Sequence, residues 1–159
     1  MKEEKIEQLI NLLLEGYNVE NKEEIISNCS SCYINPAQYI KDNEAEWVIE
    51  SNEGHAFEFS VINELFSFLL RGDKIDEVHE LIDESLNNII GDFPSEIKYA
   101  DDYFKWLGPQ LSQEDPPLEI IELGDSYSDE LQLIIVEKHN VENISRLCQE
   151  LMVHFKRTV

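Results

Sequence analysis

The hexapeptide LQLIIV, residues 131–136, is apolar at every position except Gln132. An extended segment of that kind points side chains alternately to two faces, and both faces here need cover, as in a central strand. LEIIEL, residues 118–123, lies just before it, and the short segment GDSYSD joins the two, so an antiparallel hairpin is expected. Two strands do not make a stable sheet in water by themselves. The rest of the chain must therefore supply helices to both faces, or further strands hidden among segments with helical spacing.

Most of the remaining sequence does read as helix. Ile6, Leu9, Ile10 and Leu13 recur at helical spacing over 3–15, with Glu3, Glu4 and Glu7 at the favourable N-terminal end. Asn21 caps a second segment through Cys29. Asn35-Pro36 is a start signal for a third helix, an N-cap followed by proline in the first turn. Its course over 46–60 is ambiguous. Alternation around Asn52-Glu53-Gly54 suits a hairpin, whereas continuation to Glu50 gives a helix of useful length; the helix is preferred. A helix over 60–70 buries Val61, Ile62, Leu65, Phe66, Leu69 and Leu70. The clearest amphipathic helix covers 74–90, with Ile75, Val78, Ile82, Leu86 and Ile89 on one stripe. A further helix spans 96–107 and is broken or kinked by Gly108-Pro109. A last one runs over 140–156. The expectation is one domain over residues 1–159 of the α+β class, mostly helical, with the hairpin covered by helices.

Charge narrows the possible functions. The chain of 159 residues has 34 acidic and 12 basic side chains, a net charge of −22, distributed along its whole length. That balance argues against phosphate backbones and anionic membranes as direct partners. No apolar run approaches the about 20 residues of a membrane span, and the N-terminus is not a signal peptide, so a cytoplasmic protein is expected. Spread evenly over about 8,000 Å², the excess charges would sit about 19 Å apart, beyond the Debye length of about 8 Å. A functional acidic surface thus requires clustering. Asp73, Asp76, Glu80, Asp83 and Glu84 provide it on the 74–90 helix, where one turn rises about 5.4 Å. The loop with Asp125, Tyr127 and Asp129 is a second candidate contact, tyrosine being a common anchor.

Signals for catalysis are weak. Cys29 and Cys32 have CxxC spacing, but Cys148 is the remaining cysteine and the histidines are scattered. Two reduced thiols near a helix end are expected, rather than a zinc or redox centre. Asp76 and His79 have one half of a di-iron pattern and lack the other, so His79 reads as a boundary histidine. The carboxylates Glu119, Glu122, Asp125, Asp129 and Glu130 sit in or beside a hairpin that offers little desolvation for acid–base work. There is no nucleotide-binding glycine loop and no nucleophile elbow. No cofactor, metal or enzymatic activity is expected.

Two stretches, NPAQYIKDNEAEW at 35–47 and the strand–GDSYSD–strand–helix run at 118–151, resemble a family of small acidic bacterial domains of unknown function. In that family an Asp-Ser-Tyr loop precedes an apolar strand and a closing helix. The resemblance implies an α+β fold in the bacterial cytoplasm. By size, acidity and lack of motifs the chain is also similar in class to immunity proteins of bacterial toxin systems. The leading expectation is a non-enzymatic acidic protein that binds a basic partner such as a nuclease toxin. The alternatives are a nucleic-acid mimic, a domain whose acidity serves only solubility, and, last, a redox or metal protein using Cys29 and Cys32.

Overall fold

The structure is a computed structural model and describes residues 1–50 and 54–159. The hairpin forms where the apolar runs place it: β2, Leu118–Leu123, pairs antiparallel with β3, Leu131–Glu137, in the register Ile120↔Ile135. Two three-residue strands complete the sheet. β1, Leu70–Gly72, pairs with β3 and β4, Phe155–Arg157, pairs with β2, giving the antiparallel order β1-β3-β2-β4.

Both faces are covered, as the double-sided apolar pattern requires. Ile121, Leu123, Ile134 and Val136 point into one core with α1 (Lys2–Leu14), α2 (Lys22–Ile34), α5 (His55–Glu64) and α8 (Val141–Leu151). Ile120, Leu133 and Ile135 point the other way, onto α6 (Ile75–Ser85) and α7 (Ala100–Ser112). The result is a helix–sheet–helix arrangement, α+β and mostly helical. A third, smaller cluster joins α3 (Pro36–Asp42) and α4 (Glu46–Ile49) to α5 through Tyr39, Ile40, Ala45, Val48 and Ala56. Among the described residues no helix is long and apolar enough to cross a membrane.

Several boundaries differ from the sequence reading, each for a local or tertiary reason. Asn35 caps α3 as expected, its Oδ1 accepting from the Gln38 N–H. The helix then stops at Asp42, because Glu44 adopts a left-handed conformation, and α4 is a separate turn. The Asn52-Glu53-Gly54 turn of the alternative reading lies largely outside the described residues; His55 onward is helical. α5 ends at Glu64 rather than near 70. A 3₁₀ turn, Phe66–Phe68, follows, and Leu70 instead pairs with Leu133 across the sheet edge.

α6 is shorter than 74–90. Asn87 and Asn88 take positive φ, which asparagine tolerates, and the Asp83 carboxylate accepts from the Ile90 N–H across that turn. Ile89 consequently lies outside the helix and is exposed. α7 runs through Pro109 to Ser112, since burial of Leu107 and Leu111 against the sheet outweighs the lost backbone bond. α8 ends at Leu151 with Met152 left-handed, and Phe155 is a strand residue.

The faces of α6 agree with the reading. Val78 and Ile82 are fully buried while Asp76, Glu80 and Glu84 are exposed. Ile82→Ala should therefore cost about 2–5 kcal/mol. Asp76→Ala and Glu80→Ala should stay within about 0.5 kcal/mol. Urea midpoints of the three variants decide; a large loss at Glu80 with little at Ile82 would reverse the faces.

Candidate functional site

The β2–β3 loop is held from three sides. The residue between Leu123 and Asp125 is glycine with φ +72°, and Ile62 packs where a Cβ would project. Its N–H donates to the His154 carbonyl at 2.8 Å. Glu58, buried on α5, accepts from the Asp125 N–H at 3.0 Å through Oε1 and from the His154 N–H at 2.7 Å through Oε2. One carboxylate thus joins α5 to the start of the loop and to the connection between α8 and β4. Within the loop, the Tyr127 N–H donates to Asp125 Oδ1, and the Ser126 hydroxyl donates to the Ser128 carbonyl. Arg71 of β1 reaches across to the Ser126 carbonyl and to Glu130 at 3.2 Å.

Tyr127 folds back rather than standing free. Its φ is +57°, and its ring meets Trp47 edge-on at 5.1 Å and His55 at 6.2 Å. Burial, reinforced by Glu58 and Asp125, pushes its phenol up to about 12. Trp47 remains half exposed beside it.

Beneath the loop is a cavity of about 480 Å³. Its wall includes His55, Glu58, Glu122, Asp125, Gln132 and His154. Gln132 was visible in the sequence as the one polar residue of the apolar run 131–136. His55, Glu58 and His154 carried no such signal, because segments distant in the chain bring them together.

The β2–β3 loop meets the start of the other acidic segment singled out in the sequence. Pairing of Gly72 with Leu131 puts Asp73, at the entrance to α6, beside the end of the β2–β3 loop. Asp73, Asp76, Glu80, Glu84, Asp125 and Asp129 are exposed. Asp83 is half-buried and is used by the Ile90 N–H. Lys74 pairs loosely with Glu77 at 3.9 Å, and among the described residues no ion pair reaches Asp76, Glu80 or Glu84.

The other candidates have structural roles. Cys29 and Cys32 are free thiols inside α2, both fully buried, and Cys32 Sγ contacts the Ala56 carbonyl at 3.4 Å. Burial pushes the Cys29 thiol up to about 12, with Glu64 adding to the effect, so the reactive thiolate is disfavoured. His79 is buried rather than a boundary residue. Its Nε2 donates to the Gly91 carbonyl at 2.7 Å, which can only accept, and its Nδ1 is hydrogen-bonded with the Tyr103 hydroxyl at 2.8 Å. Glu119 is also buried, contrary to a solvated hairpin, and Arg157 of β4 binds both of its oxygens at 2.7 and 2.9 Å. That bidentate pair fastens the last strand to the sheet. Glu15, Glu137 and His139, a group missed in the sequence, place ligand-type atoms within 4.8 Å of one another at the surface.

None of the protein-family models, curated proteins or solved structures compared with this chain matches it.

Proposed function

We propose that this protein is a non-enzymatic acidic binder of a basic protein partner, in the manner of an immunity or inhibitor protein directed against a basic bacterial toxin. The observation that carries the reading is the Gly72↔Leu131 register, which sets Asp73, where the acidic stripe of α6 begins, beside the acidic β2–β3 loop. Like charges one helical turn apart repel by a few tenths of a kcal/mol per pair, with no benefit to the monomer where no cation answers them. A basic surface relieves that repulsion, speeds encounter and makes association fall steeply with salt. Trp47, half exposed next to Tyr127, offers an aromatic anchor beside the charges. Three buried free thiols suit a reducing compartment such as the bacterial cytoplasm.

The test reverses Asp76, Glu80 and Glu84 to lysine. Asp83 is left intact because the Ile90 N–H depends on it. Stability should hold or rise. Proteins retained by the wild-type chain at about 50 mM salt should be basic, leave by about 500 mM, and fail to bind the triple variant; the Debye length falls from roughly 14 to 4 Å over that range. Undiminished capture by the variant, or capture indifferent to salt, would reduce the acidity to a solubility device.

A further inference from the structure

Three side chains of metal-ligating type converge where α1 meets the end of β3 farthest from the acidic loop. Glu15 follows the last residue of α1, Glu137 ends β3, and His139 lies two residues on, in the 3₁₀ turn Lys138–Asn140. Packing of Leu13 and Leu14 in one core with Val136 holds the two segments together. Gly16 turns the chain with φ +90°, and a Cβ there would sit 3.2 Å from Glu137 Oε1. His139 Nε2 is 3.6 Å from Glu137 Oε2 and 3.8 Å from Glu15 Oε2.

Both distances exceed the range of about 2.7–3.2 Å for an N–H···O bond, so the imidazole hydrogen-bonds neither carboxylate. They are close to the separation of two ligands on one metal ion. Zinc takes histidine nitrogen at about 2.0–2.1 Å and carboxylate oxygen at about 2.0–2.2 Å, which puts neighbouring ligands of a tetrahedral site roughly 3.4 Å apart. Ligand atoms of all three residues lie within 4.8 Å of one another. Small side-chain rotations close them on a single ion.

The fold holds the two carboxylates together against their own repulsion. The Glu137 side chain is 13% exposed, and among the described residues no hydrogen bond, lysine or arginine reaches its carboxylate. Lys138, its neighbour, donates instead to the Ser112 hydroxyl at 3.0 Å. A largely buried carboxylate without a donor is costly. Glu15 is fixed from behind. Asn140, 4% exposed, donates through Nδ2 to the Glu15 carboxylate, and the same nitrogen is 3.5 Å from the Leu12 carbonyl. An outer partner of this kind orients a carboxylate that ligates a metal. A dication between the carboxylates answers both charges. The imidazole then selects among dications, since nitrogen suits zinc better than the oxygen-seeking magnesium and calcium.

We infer that Glu15, Glu137 and His139 bind a zinc ion, with His139 Nε2 and one oxygen of each carboxylate as ligands and the fourth position left to water. Glu15 and Glu137 also border a cavity of about 230 Å³, which gives that water room. The site lies at the opposite end of β3 from the surface proposed for a basic partner, and neither reading depends on the other.

The test adds zinc chloride to the full chain, purified without a tag and freed of metal with a chelator. Calorimetry should show one ion bound per chain, and a large excess of magnesium should not displace it. In NMR spectra of the wild-type chain, the ring nitrogens of His139 should shift on zinc addition while those of His55, His79 and His154 stay in place. That readout needs no variant and so does not depend on folding. His139→Gln and Glu137→Gln should each weaken zinc by more than the roughly 10–100-fold that loss of an outer partner typically costs. His154→Gln, which removes an exposed histidine elsewhere, should leave affinity unaltered. Zinc binding undiminished by His139→Gln, or shifts centred on another histidine, would overturn the inference by assigning the ion to the thiols or to a different cluster. Displacement by magnesium would overturn it too, by making zinc a counterion of the general acidic surface. So would a wild-type chain that binds no zinc.

Discussion

Replacing Glu58 by alanine should destabilise the protein by about 3–5 kcal/mol, although glutamate is usually a surface residue. The side chain is 6% exposed, and each oxygen takes one backbone N–H, from Asp125 and from His154. Alanine leaves two part-buried amides without this partner, and a donor poorly reached by water costs more than a typical hydrogen bond contributes. Glu58→Gln should lie between alanine and wild type. It keeps one acceptor but turns an NH₂ group toward the second donor. Urea midpoints at constant slope are the measurement. Hydrogen exchange at Asp125 and His154 should accelerate before the rest of the sheet opens, since these amides lose their partner first. A loss below about 1 kcal/mol would show that water replaces the carboxylate, and that the loop is not held from α5.

Alkaline pH should destabilise the protein steeply. Burial pushes the thiols of Cys29 and Cys148 from their ordinary value of 9.0 up to about 12, and the phenol of Tyr17 from 10.0 up to about 12. Between the unfolded and folded values, the native state keeps protons that the unfolded chain has released. Stability is thus fully present below about pH 9 and declines as pH rises toward 12, with a slope of about 1.4 kcal/mol per pH unit for each thiol. Urea midpoints between pH 8 and 10.5 should trace that decline. Cys148→Ala should remove about half of the contribution that Cys29 and Cys148 make together, since alanine cannot ionise. A stability flat over this range would mean that the thiols titrate normally and that water reaches them.

The parts of the fold legible in the chain were those governed by local chemistry. Asn35-Pro36 started a helix because cap and proline act on neighbouring backbone. The stripe of Val78 and Ile82 marked the buried side of α6, since helical periodicity needs no partner to be visible. LEIIEL and LQLIIV read as a hairpin with two faces to cover. Asn87-Asn88 was a readable stop that the apolar stripe through Ile89 obscured.

Tertiary structure decided the rest. Leu70 and Phe155 lie in segments with helical spacing, and only the open edges of β3 and β2 draw them into strands, because a strand's hydrogen bonds are made with residues far away in the chain. Pro109 stays inside α7 because Leu107 and Leu111 gain a buried face. Asp73, Asp76, Glu80 and the β2–β3 loop were legible as acidic segments, but the placing of Asp73 beside the loop depends on the pairing of Gly72 with Leu131. The cavity was not legible at all. Glu58, Gln132 and His154 come from a helix, a strand and a connection, and no local pattern records a site whose walls are assembled by packing. The sequence by itself determined a hairpin that had to be covered and a strongly acidic surface. Which acids gather, and around what, followed from long-range pairing and close packing, whose energies depend on contacts between residues that the chain keeps far apart.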